Sequence, residues 1–344
     1  MALVPSPTRS RQRAWLADSA RSLPDWREVR INTLDGVQSF VMMACYNRRI
    51  GLVVEDITIS LPSGEGYPAQ VLRAALGLIP NIECLVLNLP SESPITLLNQ
   101  FSFTNLRIFS TNLPHRGLAS FLYAHTLLTA LILGSCGRST TCLLQGLELR
   151  ALESLQCPAR CFIGIIAGPL VTATVNLTRL TSMSSLAIQN ISSPRLHTLT
   201  VDHFSNDYDV LSRVATAVPN LRKLKLNEKP TSERGDGRHH RPWNDLRAWH
   251  HTLLQLPYLE ELFMRTLISV AAPTSTERDV VIGWAEGVGQ RAIAHPKLYH
   301  IALMQKNVSG EHQLSHWFKK GVRGTEIWTL VSIAGVGRHE TFTL

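Results

Sequence analysis

The sequence predicts a mixed α/β chain in which short parallel strands alternate with helices and stack as a solenoid. Three observations predict it. A hexamer recurs along the chain with apolar residues at its first and fourth positions and, in most copies, at its sixth. The segments between copies carry apolar residues at helical spacing. Five copies have proline two residues ahead, in a chain with 18 prolines among 344 residues. Proline ends a preceding helix and sends the chain into extended backbone, as a helix-to-strand junction requires.

The clearest copies are Leu221/Leu224/Leu226, Leu259/Leu262/Met264 and Leu298/Ile301/Leu303. Others are Ile82/Leu85/Leu87, Leu128/Leu131/Leu133, Leu152/Leu155/Cys157, Met183/Leu186/Ile188 and Leu196/Leu199/Val201. Weaker ones are Trp26/Val29/Ile31, Val54/Ile57/Ile59, Leu106/Phe109/Thr111 and Ile327/Leu330/Ser332. The prolines are Pro80, Pro194, Pro219, Pro257 and Pro296. The mean interval is roughly 27 residues, inside the ~20–29 of leucine-rich repeats. The architecture expected is therefore an irregular leucine-rich-repeat horseshoe over 26–344, with parallel strands on the concave side and helices outside. It is irregular because the step from 183 to 196 is too short for a helix and the asparagine ladder of regular repeats is mostly missing.

Helices are expected where Val71, Leu72, Ala75 and Ile79 align, and where Leu118, Phe121 and Leu122 do. Two more follow from Val210, Leu211, Val214 and Val218, and from Trp243, Leu246, Trp249 and Leu253. Thr276 and Asp279 form a capping-box pattern ahead of Val281, Trp284 and Val288. Trp317 and Phe318 are read as the apolar face of a further helix. The uncharged run from Cys161 to Thr178 holds Gly164, Gly168 and Pro169, so it is read as a buried connector and not a membrane span. Glu228 to Asn244 is rich in Gly, Pro and charge and is read as a solvated loop insertion.

Composition narrows the function classes. Apolar residues make up 44% of the chain and charged residues 17%, with a formal charge of +8. The basic balance reads as arginine spread over a large surface, since no basic stripe interleaved with aromatics marks a nucleic-acid path. Six cysteines in this length are no disulfide scaffold. Cys136/Cys142 and Cys157/Cys161 lack the two-residue gap of a zinc knuckle, and no histidine stands at ligand spacing beside them. They are expected to be reduced, mostly buried thiols, which implies a reducing compartment, cytoplasmic or nuclear. The pairs His239-His240 and His250-His251 cannot share one helix face, so no metal is expected there. No phosphate loop, no nucleophile elbow and no paired carboxylates suggest catalysis, and no cofactor is expected.

The segment from about Trp26 to Gly137 resembles the F-box/leucine-rich-repeat-like proteins of mushroom-forming fungi. The residues that carry this are Arg27 to Ile31, the apolar stretch ending in Tyr46 to Ile50, Val54 to Leu61, Ile79 to Ile82, and Asn105 to His115. The resemblance implies an N-terminal F-box that binds the adaptor of a cullin ubiquitin ligase, with repeats that hold the substrate. Residues 1–25 carry no Leu-Pro opening helix, and Ala14 to Leu23 matches only a final F-box helix, so the F-box is expected to be missing or truncated.

In a repeat strand alternate residues face opposite ways, so the third, fifth and seventh positions line the concave face. Toward the N-terminus this face holds small and apolar residues such as Val86, Ser110 and Ile132. Toward the C-terminus it mixes charge with an aromatic and a methionine: Lys223, Lys225, Asn227, Glu261, Phe263, Arg265, His300 and Met304. That stripe is the expected docking surface for a protein partner. Three readings stand: a partner-binding repeat protein, the substrate receptor of a cullin-type ligase, and an enzyme whose site assembles from distant residues.

Overall fold

The computed structural model describes residues 26–336 apart from 63–68, 91–92, 95, 135, 137–141, 178–186, 192, 231–240, 272–274, 291, 307–310 and 323–324. The segment 1–25 lies outside the described residues, as do His239, His240 and most of the expected insertion. The chain is mixed α/β. It divides into one unit of Met1–Leu152 with Gly164–Ala167, and a second of Glu153–Ile163 with Gly168–Leu344.

In the first unit five parallel strands follow the order of the chain: β1 (Glu28–Ile31), β2 (Asp56–Ser60), β3 (Cys84–Asn88), β4 (Ile108–Thr111) and β5 (Ala130–Leu133). Their register aligns Val29, Ile57, Leu85, Phe109 and Leu131, the fourth residue of each hexamer. All five are buried, while alternate residues such as Val86, Ser110 and Ile132 stay half-exposed on the other face. Helices α1 (Leu34–Tyr46), α2 (Arg48–Val53), α3 (Ala69–Gly77) and α4 (Ala119–Ala124) fill the crossovers. Thr33 opens α1 by accepting from Gly36 N at 3.1 Å. Asn47 stops it and caps α2, accepting from Arg49 N at 3.2 Å. Val37, Phe40, Met43 and Ala44 form the buried stripe of α1. Two further short strands, β6 (Leu147–Leu149) and β8 (Ile165–Ala167), pair in parallel.

In the second unit β7 (Ser154–Pro158), β9 (Thr172–Asn176), β10 (Thr198–Phe204), β11 (Lys223–Lys229), β12 (Glu261–Arg265) and β13 (His300–Lys306) are parallel neighbours in that order. Within this unit the register aligns Leu155, Ala173, Leu199, Leu224, Leu262 and Ile301. Helices α5 (Val210–Ala217), α6 (Leu246–Leu254) and α7 (Glu277–Glu286) lie between strands in the chain, and α7 opens with the Thr276–Asp279 capping box.

Four expectations are corrected. The run from Cys161 to Thr178 is not a connector: it contains β8 and β9, with Leu170, Ala173 and Val175 buried. Met183 and Leu186 lie outside the described residues, and Ile188 sits in a helical turn. The last copy, Ile327/Leu330/Ser332, is not a parallel repeat strand. It belongs to β15 (Thr325–Val336), which pairs antiparallel with β14 (His312–Val322), itself antiparallel to β13. Trp317 and Phe318 therefore stand on a strand and face opposite ways, not along a helix. Finally, the ends of the expected solvated loop are packed. Glu228 and Lys229 finish β11, Trp243 is fully buried in the turn Pro242–Asn244, and Arg241 meets Glu228 in a buried ion pair at 3.2 Å.

Candidate functional site

Parallel pairing brings the eight stripe residues together. Lys223, Glu261 and His300 form one row, and antiparallel β14 adds Phe318 to it. Lys225, Phe263 and Ala302 form the next, with His316. Asn227, Arg265 and Met304 form the third. Because side chains in one row point to the same face, eight residues spread over 82 positions of sequence share one patch.

Their exposure differs from expectation. Phe263, His300 and Met304 are buried, whereas Lys223, Lys225 and Asn227 are half-buried and Arg265 is exposed. The cause is β14, which places Phe318 and His316 beside β13. His300 stacks on Phe318 at 4.2 Å between ring centres, meets Phe263 edge-on at 5.2 Å, and shares a hydrogen bond of 3.1 Å with His316. Phe263 is thus an aromatic core piece beneath a polar rim. The sequence signal that could have found this is the β-branched run of 327–333, which favours a strand partner for 312–322.

The rim is electrostatically ordered. Lys223 donates to Glu261 in an ion pair of 2.9 Å, and Tyr299 OH donates to the same carboxylate oxygen at 3.0 Å. Burial pushes the Glu261 carboxyl upward, yet the Lys223 and Tyr299 hydrogen bonds outweigh it and hold the group below the ordinary carboxylate range. Lys225 sits lower than an ordinary lysine, first through burial and then through the Arg265 charge beside it. Asn227 donates to Asp202 at 3.1 Å, and Asp202 also takes the Lys229 ammonium at 3.2 Å.

The imidazole of His300 is pushed down to about 4, first by burial and then by His316, with Glu261 opposing. The consequence for stability has a definite sign. An unfolded histidine titrates near ~6.5, so between that value and the folded one the unfolded chain holds more protons. The contribution of neutral His300 is complete above pH ~6.5 and is lost as pH falls toward ~4. Discounted for solvent screening at the patch edge, the loss is about 1–2 kcal/mol. His300→Phe retains the stack and removes this titration. Urea midpoints measured from pH 7 to pH 4 are expected to fall less steeply in the variant than in the parent. Equal slopes would show that His300 is not the buried neutral group described.

Two other buried histidines hold backbone groups. His125 accepts from Phe103 N at 2.8 Å and donates to Phe121 O at 2.6 Å, while burial lowers its pKa. His295 does the same work in the second unit, accepting from Leu298 N at 3.0 Å and donating to Leu253 O and Leu256 O at 3.1 and 3.0 Å. A different constellation lies in the first unit. His115 Nδ1 stands 3.5 Å from Cys142 Sγ, and ligand atoms of His115, Cys136 and Cys142 all lie within 4.8 Å of one another. Sequence reasoning missed it because His115 is 27 positions from Cys142, and only the parallel pairing of β4 with β5 brings their exits together.

No protein-family model, no curated protein and no solved structure matches the chain. No helix among the described residues is long and apolar enough to cross a membrane.

Proposed function

We propose that the chain is a non-enzymatic binding module of the leucine-rich-repeat type, each unit a stretch of solenoid, and that a protein partner docks on the half-exposed sheet face of the second unit. The supporting observation is the alternation along consecutive parallel strands. The hexamer column is buried on one face, while Thr172, Thr198, Lys223 and Glu261 of the opposite face remain half-exposed. An uncovered face of parallel sheet is unusual, since crossover helices on both sides normally bury such sheets. Solenoids are the architecture that leaves one face open for a partner.

Lys225 and Arg265 are like charges on this face, and Asp202 offsets part of the effect of Arg265 on Lys225. An acidic group of the partner placed between them relieves the repulsion that remains, so the partner segment is acidic. The resemblance of the segment from about Trp26 to Gly137 to F-box/leucine-rich-repeat-like proteins supports a narrower reading, in which the partner is a substrate carried to a cullin-type ligase.

Affinity capture from a lysate of the source organism tests both. Lys225→Glu with Arg265→Glu is expected to weaken capture at least tenfold, about 1.4 kcal/mol. Arg265 is exposed and Lys225 half-exposed, and a urea midpoint near the parent's is expected for the double variant; Phe263→Ala is a poorer probe because Phe263 is buried. Unchanged capture by the folded double variant excludes this face. Recovery of a cullin with its small adaptor supports the ligase reading, and an acidic partner without them supports a repeat-only module.

A further inference from the structure

We propose that His115, Cys136 and Cys142 form a zinc site at the strand exits of the first unit. The placement follows from topology. β4 and β5 are adjacent and parallel, so the segments leaving them emerge at the same edge of the sheet. His115 begins the short helical turn His115–Gly117, four residues after β4, and Cys136 lies three residues after β5. Cys142 precedes β6. The two exits are drawn close: Gly134 N donates to Thr111 O at 2.8 Å, and a Cβ on Gly134 would lie 3.1 Å from the Asn112 Cα.

The donor geometry suits a small tetrahedral ion. With Zn–S near ~2.3 Å and Zn–N near ~2.0–2.1 Å, tetrahedral ligands stand about 3.4–3.8 Å apart. The His115 Nδ1 to Cys142 Sγ distance of 3.5 Å falls in that window, and the three ligand atoms fit within 4.8 Å of one another. His115 and Cys142 are buried and Cys136 is half-buried. Leu144 N points at Cys142 Sγ from 3.4 Å, the kind of backbone donor that steadies a thiolate. Two thiolates with an imidazole select zinc over oxygen-preferring cations such as magnesium or calcium. The tetrahedron takes a fourth donor, and the class of metal is fixed without it.

Binding requires no redox step. Each thiol gives up its proton to solvent as its sulfur donates to Zn²⁺, and the imidazole donates as the neutral base. The ion then ties the β4 exit to both ends of the segment 136–142. Because the unfolded chain lacks this arrangement, zinc binding adds to folding stability.

The test uses the full chain with a non-histidine affinity tag, stripped of metal by a chelator under reducing conditions. On addition of Zn²⁺, elemental analysis after desalting is expected to find about one ion per chain. Cys136 and Cys142 are expected to react with an alkylating agent at least tenfold more slowly, read by mass spectrometry of the peptides. The exposed Cys45 is the internal control and reacts at an unchanged rate. Co²⁺ in place of Zn²⁺ is expected to give the strong visible absorption of tetrahedral thiolate coordination. His115→Ala and Cys142→Ser are expected to abolish retention of the ion, and Cys45→Ser to leave it intact. The alkylation readout needs no variant, so the inference stays open to refutation if either variant fails to fold. Equal alkylation of Cys136 and Cys142 with and without zinc overturns the proposal. So does a Cys136–Cys142 disulfide that persists when zinc is present, or full zinc retention by folded His115→Ala.

Discussion

Arg241→Ala is expected to destabilise the second unit by about 3–5 kcal/mol, because it leaves the carboxylate of Glu228 buried without its cation. The Glu228 side chain is fully buried and that of Arg241 nearly so, and the pair closes at 3.2 Å. Glu228 Oε2 also accepts from Leu267 N at 2.7 Å, which fastens the exit of β12 to the end of β11. Removal of the guanidinium therefore strains a backbone junction as well as an ion. The double replacement Arg241→Met with Glu228→Gln removes both charges and retains an acceptor for Leu267 N. It is expected to cost less than Arg241→Ala alone, as replacing both members of a buried pair generally does. Urea denaturation of the three proteins decides the matter. A loss below about 0.5 kcal/mol for Arg241→Ala would be the value of a solvated surface pair. It would return the segment from 228 to 244 to the solvated loop that its composition suggests.

Glu228 belongs to a set of side chains that explains how far the sequence was readable. Regular leucine-rich repeats stack asparagines that cap the backbone of neighbouring turns, and the near absence of such a ladder argued for irregularity. The caps exist with mixed chemistry. Asn112 both accepts from Leu89 N at 2.9 Å and donates to Leu89 O at 2.7 Å. Asp202 accepts from Leu177 N at 3.2 Å, Glu228 from Leu267 N, and Gln305 from Val270 N at 2.8 Å. What the backbone demands at each strand exit is an acceptor for a buried N–H. Asparagine, aspartate, glutamate and glutamine all supply one, so a search for a single residue type overlooks the pattern.

The hexamer was legible because its physics is strict. Leu85, Leu131, Leu224 and Leu262 stand in columns with no room for a polar side chain, and their spacing marked the strands. Ala173 escaped because a small residue fills the same place between Leu155 and Leu199. A leucine-weighted pattern does not register it. At the C-terminus an apolar residue every second or third position suits both helix and strand over a short run. Pairing with β13 decided for the strand, a long-range fact that local periodicity does not carry. The patch on the second unit was legible in membership but not in exposure. Which of Lys225, Phe263 and His300 reach solvent depends on β14, and β14 was read as helix. The His115, Cys136 and Cys142 constellation was illegible for the same reason, since its spacing is set by two parallel strands and not by a contiguous motif.

Gly51→Ala offers the sharpest contrast between local preference and packing. Gly51 lies in α2, where alanine is favoured over glycine by up to ~1 kcal/mol, so propensity alone predicts a more stable protein. A Cβ at this position would lie 2.0 Å from the carbonyl oxygen of Leu78 and 3.0 Å from its carbon. Those atoms are backbone and cannot swing aside as a side chain does. Leu78 follows directly on α3 and is held there by its own N–H on Ala75 O at 3.2 Å. Asn81 further ties this turn to α2, donating to Leu52 O at 2.9 Å. Alanine must therefore push α2 and the α3 exit apart and open the packing around Ile50 and Ile79, both buried. The expected outcome is a loss of about 3 kcal/mol or more despite the gain in propensity. In thermal unfolding this corresponds to a fall of at least ~6 °C for a unit of about 150 residues. A Tm equal to or above that of the parent would mean that α2 does not approach Leu78 as closely as described. The packing of α2 against the exit of α3 would then need to be redrawn.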